Sequence, residues 1–137
     1  MAGKENKTTK YALVVHSDVG KLAGFQSALT RNKYTAVIAR DLPTALLAIT
    51  QHVFDLAIVC ARLTEPGDGW PLAGVIRLVW PNIPTVVLAP EENVLTFQAA
   101  INYGVSEIFT DTVPPEDVLK NLLGSGKKSR EKRGQVQ

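Results

Sequence analysis

The fold is decided by residues 54–69, which read FDLAIVCARLTEPGDG. Five consecutive apolar residues, Leu56 to Cys60, are too few for a helix and lack the alternation of a strand with one solvated face. They predict a short strand that is covered on both faces. Pro66 and Gly67 then break the chain, and a helix is expected from about Trp70. Open α/β sheets place their chemistry at such a strand end, and Cys60 stands there without an acid.

The length and composition of the chain limit the kinds of protein that it can be. The chain has 137 residues, of which 45% are apolar and 20% charged, and this suits one globular domain with its own core. No apolar run approaches the roughly 18 residues that span a bilayer, and the lysine-rich start does not resemble a signal peptide. The single cysteine cannot form an internal disulfide, which is typical of a reducing compartment. We therefore expect a cytoplasmic protein without a membrane partner.

The net charge of +2 is unevenly distributed along the chain. Residues 11–123 contain 7 basic and 11 acidic side chains, so the excess of positive charge lies in the two ends. We predict a flexible N-terminal segment over residues 1–10, a folded domain over 11–123 and a basic, disordered tail over 124–137.

Short apolar runs alternate with helical patterns along the folded part. The predicted strands are Tyr11–Val15, Thr35–Ala39, Leu56–Cys60, Thr85–Leu88 and Glu107–Phe109. Such an alternation predicts an α/β fold with a five-stranded parallel sheet, helices on both faces and right-handed crossovers.

Apolar residues at helical spacing predict the inward face of each helix. These residues are Leu22, Phe25, Ala28 and Leu29 in the first helix; Ala45, Leu46, Leu47 and Ile49 in the second; Leu72, Val75, Ile76 and Val79 in the third; Val94, Phe97, Ala100 and Ile101 in the fourth; and Val118, Leu119 and Leu122 in the fifth. Asp41 and Asp68 are expected to cap the second and third helices, and Ser17 or Asp18 the first.

Four short motifs stand in order along residues 11–123. They are Phe54–Val59 with the following Asp68-Gly69, then Pro81–Leu88, then Ala99–Val105, and finally Pro115–Val118. Together they resemble the receiver domain of bacterial two-component response regulators, which has the flavodoxin-like chemotaxis-regulator fold. The resemblance implies a (βα)5 domain that serves in signal transduction.

The resemblance also implies where phosphorylation chemistry would lie. An active receiver has two acids after its first strand, an aspartate that accepts the phosphoryl group at the end of the third, a hydroxyl after the fourth and a lysine after the fifth. By alignment these positions fall on His16 and Ser17, on Cys60 or Ala61, on Ala89 and on Asp111, and the aromatic switch position falls on Ile108.

These residue types do not suit the chemistry of the family. Magnesium prefers carboxylate oxygens, which an imidazole and a hydroxyl do not replace, and Asp18 lies one position too far along. Asp111 would bring a negative charge to the phosphate, and Ala89 cannot donate a hydrogen bond to it. We therefore predict a degenerate pseudo-receiver that is not an enzyme and uses no metal or cofactor.

A receiver without this chemistry is expected to act through its surface. By resemblance, the interaction face runs through residues 93–103, 107–109 and 116–123. The candidate contact residues on it are Phe97, Tyr103, Ile108, Phe109, Asp117 and Lys120. The expected partner is a protein of a signalling pathway, and a second copy of the chain is one form that it can take.

Two other classes of function stay open. The vacated pocket around His16, Cys60, Ala89 and Asp111 could serve a small-ligand or redox sensor, and with Asp18 it offers side chains of the types that bind zinc. The basic residues 127–133 could serve a nucleic-acid accessory protein, although the acidic folded part argues against nucleic acid as a partner.

Overall fold

The computed structural model describes residues 9–91 and 93–124. In chain order the elements are β1 (Lys10–Val15), α1 (Val19–Arg31), β2 (Tyr34–Ala39), α2 (Leu42–Gln51), β3 (Leu56–Cys60), α3 (Gly69–Val79), β4 (Thr85–Ala89), α4 (Val94–Tyr103), β5 (Glu107–Thr110) and α5 (Pro115–Leu119), which continues into a π-helical turn (Lys120–Gly124). The strands form one parallel sheet in the order β2-β1-β3-β4-β5. The predicted fold class is confirmed.

The sheet separates two apolar layers because successive side chains of a strand point to opposite faces. Val14 and Ile58 face the layer that α1 and α5 cover, where Phe25 and Leu119 are fully buried. Their strand neighbours face the layer that α2 and α3 cover. All residues of β3 and β4 are buried, as the continuous apolar runs predict.

Side-chain caps fix where several helices begin. The Asp18 carboxylate accepts hydrogen bonds from the backbone N–H groups of Gly20 and Lys21, so Asp18 rather than Ser17 caps α1. Asp41 accepts from the Thr44 N–H at 2.8 Å and caps α2 as predicted.

The predicted inward faces of three helices are partly wrong. In α2 the buried residues are Ala45 and Ala48, and in α3 they include Ala73 beside Leu72 and Ile76. The larger residues that we expected inside are instead exposed: Leu46, Leu47, Val75, Val79, Val94, Phe97 and Ile101. The physical reason is that small residues let a helix lie close to the sheet, as Ala99 and Ala100 of α4 do, and this turns the bulky stripe outward.

Within residues 9–91 and 93–124, the helices are all too short or too polar to cross a bilayer. The predicted basic tail and most of the predicted N-terminal segment lie outside the described residues, although β1 already begins at Lys10.

Candidate functional site

The carboxyl ends of β1, β3 and β5 bring three polar side chains together. The ligand-type atoms of His16, Cys60 and Asp111 all lie within 4.8 Å of one another. Parallel pairing explains this, since Val15 lies opposite Val59 and Ala89 lies opposite Thr110 in the sheet. We call His16, Cys60, Ala89 and Asp111 the edge cluster.

The alignment left open whether Cys60 or Ala61 takes the acceptor position. The Cys60 thiol lies within 4.8 Å of the ligand-type atoms of His16 and Asp111, so Cys60 is the residue at the acceptor position. Ala61 packs instead among Trp70, Ala73 and Val87, in the apolar layer beneath α3 and α4. Ser17 is exposed beside the cluster.

Both ring nitrogens of His16 have hydrogen-bond partners. The side chain is buried, Nδ1 lies 3.0 Å from the backbone nitrogen of Asp18, and Nε2 lies 2.9 Å from Oδ1 of Asp111. Because a backbone N–H can only donate, Nδ1 must be the acceptor. Nε2 therefore carries the ring hydrogen and donates it to the Asp111 carboxylate.

Asp111 is held by its backbone as well as by its carboxylate. Its N–H donates to the carbonyl oxygen of Ala89 at 2.8 Å, and its own carbonyl oxygen accepts from the ammonium of Lys21 in α1. The position where the resemblance implies a lysine thus carries the Asp111 carboxylate. The nearby lysine, Lys21, comes from α1 and binds the backbone carbonyl oxygen of this residue. No local pattern in the sequence indicates this contact, because its two residues are 90 positions apart.

Burial controls the chemistry of Cys60. Desolvation raises the pKa of the thiol to about 11, and the nearby carboxylates of Asp111 and Asp68 act in the same direction. At neutral pH the sulfur is protonated, whereas the thiolate is the nucleophile and the metal ligand.

The donor types of the edge cluster are those that bind zinc, but their protonation does not suit a metal. Coordination through Nε2 of His16 would move the ring hydrogen to Nδ1, where it would face the N–H of Asp18. It would also remove the proton from a thiol whose pKa is raised. Asp18 uses its carboxylate to cap α1 and is not among the three clustered groups. With one carboxylate, the cluster also lacks the oxygen ligands that magnesium prefers.

Asp68 has a different role from the predicted one. Its carboxylate makes no hydrogen bond that caps α3 and instead accepts from the backbone N–H groups of Leu63, Thr64 and Glu65 at 2.6 to 2.9 Å. Burial alone would raise the pKa of this carboxyl, but these backbone donors favour the charged form and lower it. Asp68 therefore holds the loop between β3 and α3 closed.

Gly69 places α3 directly against the end of β3. Its N–H donates to the carbonyl oxygen of Ala61 at 2.9 Å. A β-carbon at this position would lie 1.9 Å from the carbonyl oxygen of Cys60, so no other residue fits there without moving the backbone. Asp68 and Gly69 thus fix the conformation of the β3–α3 loop and the position of the first turn of α3.

The predicted interaction face is only partly available to a partner. Phe109 is buried in the core beside α1 and α5, which corrects its place among the contact residues. Ile108 is half-buried and packs against the layer around Trp70. Phe97, Tyr103, Asp117 and Lys120 are exposed.

Two apolar residues on α3 and α4 that were not predicted as contact residues are more exposed than Phe97 and Tyr103. Leu78 is 84% exposed and Leu95 is 74% exposed. The signal that could have found Leu78 is its spacing of three residues from Val75 and seven from Pro71, which places all three on one side of α3.

No protein-family model and no curated protein sequence matches the chain. Solved structures do match it. A CheY-like receiver domain protein of Methanospirillum hungatei JF-1 is 19% identical with a TM-score of 0.76, and the match covers 90% of this chain and 98% of that one. The chemotaxis protein CheY4 of Vibrio cholerae is 20% identical with a TM-score of 0.75, covering 83% and 96% of the two chains.

A third similar structure is a response regulator of Burkholderia pseudomallei that contains a phosphorylated aspartic acid, a calcium ion and citrate. It is 18% identical with a TM-score of 0.78, and the match covers 93% of this chain and 74% of that one. At this level of identity a structural likeness establishes the fold and leaves the activity open. The chain therefore has the receiver fold of response regulators, with the edge cluster at the carboxyl ends of its strands.

Proposed function

We propose that the protein is a phosphorylation-independent pseudo-receiver, a non-enzymatic module for protein–protein interaction in bacterial signal transduction. The observation that carries this proposal is the closed hydrogen-bond network of the edge cluster. His16 joins the Asp18 backbone to the Asp111 carboxylate, and Lys21 binds the Asp111 carbonyl oxygen. Two of the aligned phosphorylation positions, His16 and Asp111, are thus already paired with each other.

The charges at the edge also oppose phosphoryl transfer. A phosphoryl group at about 4 Å from the Asp111 carboxylate would be repelled by roughly 1–4 kcal/mol at the effective dielectric constants of a surface site. Catalysis of phosphoryl transfer depends on positioning and on neutralising this negative charge. Cys60 offers a protonated thiol, and Ala89 offers no donor.

The role in signalling is supported by the fold and by the exposed surface. The similar structures are response regulators and their receiver domains. Without a phosphorylation trigger, the domain would present one fixed surface and be controlled by the availability of its partner. The exposed residues Phe97, Tyr103, Asp117 and Lys120 belong to the face that the resemblance implies, and a protein partner or a second copy of the chain would bind there or beside it.

A sensor of small ligands or of redox state has less support. In a sensor site, polar groups converge on a cavity with free hydrogen-bonding capacity. In the edge cluster both nitrogens of His16 are occupied, and Cys60 is buried and protonated. The alternative of a nucleic-acid accessory protein rests on residues 127–133, which lie outside the described residues.

The experiment that tests the proposal adds magnesium and acetyl phosphate, or magnesium and beryllofluoride, to the ¹⁵N-labelled full-length chain. We expect the amide spectrum of residues 60–68 to stay unchanged, because neither reagent finds an acceptor carboxylate. A phosphorylatable receiver domain treated in the same way is the positive control. A magnesium-dependent shift confined to residues 60–68 would overturn the proposal.

A further inference from the structure

An apolar stripe of α4 faces outward. Val94, Phe97 and Ile101 follow one another at helical spacing, and such a stripe predicts a buried face. In the structure Val94 is 78% exposed, Phe97 is 50% exposed and Ile101 is 79% exposed, while none of the residues of α4 is buried. The stripe therefore has no cover from the described part of its own chain.

A second stripe lies beside it on α3. Pro71, Val75 and Leu78 occupy the outer side of this helix and are all exposed. The two helices are in close contact, since Trp70 and Tyr103 stack with ring centroids 6.4 Å apart. A groove of about 690 Å³ runs between the helices. We call the six residues of the two stripes the α3–α4 face: Pro71, Val75, Leu78, Val94, Phe97 and Ile101.

The α3–α4 face carries almost no charge. Residues 69–79 and 94–103 contain no acid, and their one base is Arg77. The guanidinium of Arg77 donates to the carbonyl oxygens of Gly104 and Pro81 at one end of the groove, so it is engaged within the chain. A charged partner would find no complementary group on this face.

The absence of charge favours a second copy of the chain as the occupant. Residues 11–123 contain 11 acidic and 7 basic side chains, so a symmetric contact through an acidic surface would place like charges against each other. On α5, for example, Glu116 and Asp117 are exposed. The α3–α4 face lets two copies approach without placing like charges against each other.

The exposed area also comes close to what a dimer needs. The six residues of the face expose the equivalent of about four whole apolar side chains, or on the order of 400 Å² at about 100 Å² for each. A standard interface buries about 800 Å² on each partner, and about 65% of a homodimer interface is apolar. The face therefore supplies most of the apolar area that one partner of a dimer contributes.

We propose that the α3–α4 face binds a second copy of the chain and forms a dimer with twofold symmetry. In such a dimer the same patch serves both partners, so the projecting Leu78 and Ile101 of one copy would pack into the groove of the other. This inference rests on the proposed function, for which it names the partner, and it moves the contact from the face that includes α5 to the one formed by α3 and α4.

The test is the mass of the full-length chain in solution, measured by sedimentation velocity and by light scattering over a dilution series. We expect a dimer, and we expect Ile101→Glu and Leu78→Glu each to weaken self-association at least about tenfold, because each places a charge at the centre of an apolar contact. Leu47→Glu is the matched control: Leu47 is 57% exposed on α2, away from the face, and its variant should dimerise like the parent.

Each other outcome overturns the proposal. The full-length chain could be monomeric throughout, or its dimer could persist in both Ile101→Glu and Leu78→Glu. A monomer that loses a different protein partner on Ile101→Glu would assign the face to that partner instead. Thermal unfolding of each variant is measured alongside, so that a loss of the dimer is distinguished from a loss of the fold. The phosphorylation test above measures a different property, so a failure of the proposed function can be distinguished from a failure of this inference.

Discussion

At the scale of single residues, the environment of Cys60 decides its chemistry more than its identity does. A cysteine at the end of a parallel strand, near an imidazole, suggests a reactive thiol. In the structure the imidazole of His16 and the carboxylate of Asp111 lie close to the thiol, but these two side chains are paired with each other. The thiol is left in a buried and partly negative environment, and both features favour its protonated form.

This environment predicts how the stability of the protein depends on alkaline pH. Because the pKa of Cys60 is raised from its ordinary value of 9.0 to about 11, the unfolded chain ionises first as the pH rises. The free energy of unfolding should therefore hold its full value below about pH 9 and fall between about pH 9 and pH 11. Urea unfolding across this range measures the effect, and Cys60→Ala should show a shallower fall. An equally steep decline in Cys60→Ala would assign the pH dependence to other groups.

At the scale of elements, the sequence predicts the strands better than it predicts the helix faces. The run Leu56–Cys60 is apolar throughout, so burial on both sides fixes the strand and its ends. In α4 the pattern offers two candidate inward faces, one of alanines and one of larger residues. The choice between them depends on Trp70 and Tyr103, which contact each other across 33 positions of sequence. Periodicity alone carries no information about such a contact.

The same limit applies to the candidate site. The parallel order of the strands was enough to predict that His16, Cys60 and Asp111 meet at one edge. That His16 binds the Asp111 carboxylate, and that Lys21 binds the Asp111 backbone, depends on contacts between residues about 90 positions apart. Asp68 shows the limit over a short range, because an aspartate before a helix can bind the N–H groups of the helix or those of the preceding loop. In this structure the Asp68 carboxylate binds the N–H groups of the preceding loop.

The hydrogen bonds of the Asp68 carboxylate to the β3–α3 loop predict that Asp68→Asn is less stable than the parent chain. Three backbone N–H groups donate to the carboxylate, and an amide with one oxygen cannot accept all of them. We expect a loss of about 1–2 kcal/mol in the free energy of unfolding near neutral pH, measured with urea. Since the pKa of Asp68 is lowered from 3.8, the contribution of its charge is present above that value and disappears as the pH falls further.

The control for this measurement is Glu65→Gln, which removes a neighbouring charge and leaves the Asp68 carboxylate in place. It should unfold like the parent chain. If Asp68→Asn matched Glu65→Gln, the three hydrogen bonds would contribute nothing to the stability of the loop.

At the scale of the whole molecule, the edge cluster and the exposed apolar surface occupy different parts of the receiver fold. The strand order is that of the receiver fold. At the edge cluster, the side chains of His16 and Asp111 are paired with each other. The edge and the α3–α4 face lie on different parts of the molecule: the first is closed by polar contacts, and the second is open and apolar. Such a distribution suits a protein that recognises partners by surface and does not change state on phosphorylation.

Placing a carboxylate at the end of β3 tests whether Asp111 opposes a second negative charge at this edge of the sheet. In Cys60→Asp a second carboxylate would lie near Asp111, whose oxygen is within 4.8 Å of the present sulfur. Like charges at this distance raise the pKa of a carboxyl, so the variant should be less stable at pH 7 and should regain stability as the pH falls to about 5. We expect no phosphoryl transfer from acetyl phosphate with magnesium, because Asp111 still opposes it.

Adding Asp111→Lys to this variant supplies the decisive comparison. The lysine replaces a repulsive charge with an attractive one, so at pH 7 Cys60→Asp should cost less in the double variant than in the parent, with a coupling of about 1 kcal/mol or more in a double-mutant cycle. The single variant Asp111→Lys removes the acceptor of His16 Nε2 and measures that loss separately. If Cys60→Asp were as stable at pH 7 as at pH 5, or if it gained the mass of a phosphoryl group, the charge of Asp111 would not be what closes this edge. Because the cycle compares the free energies of unfolding of four proteins at one pH, effects that each substitution has on the rest of the scaffold cancel and the coupling between positions 60 and 111 remains.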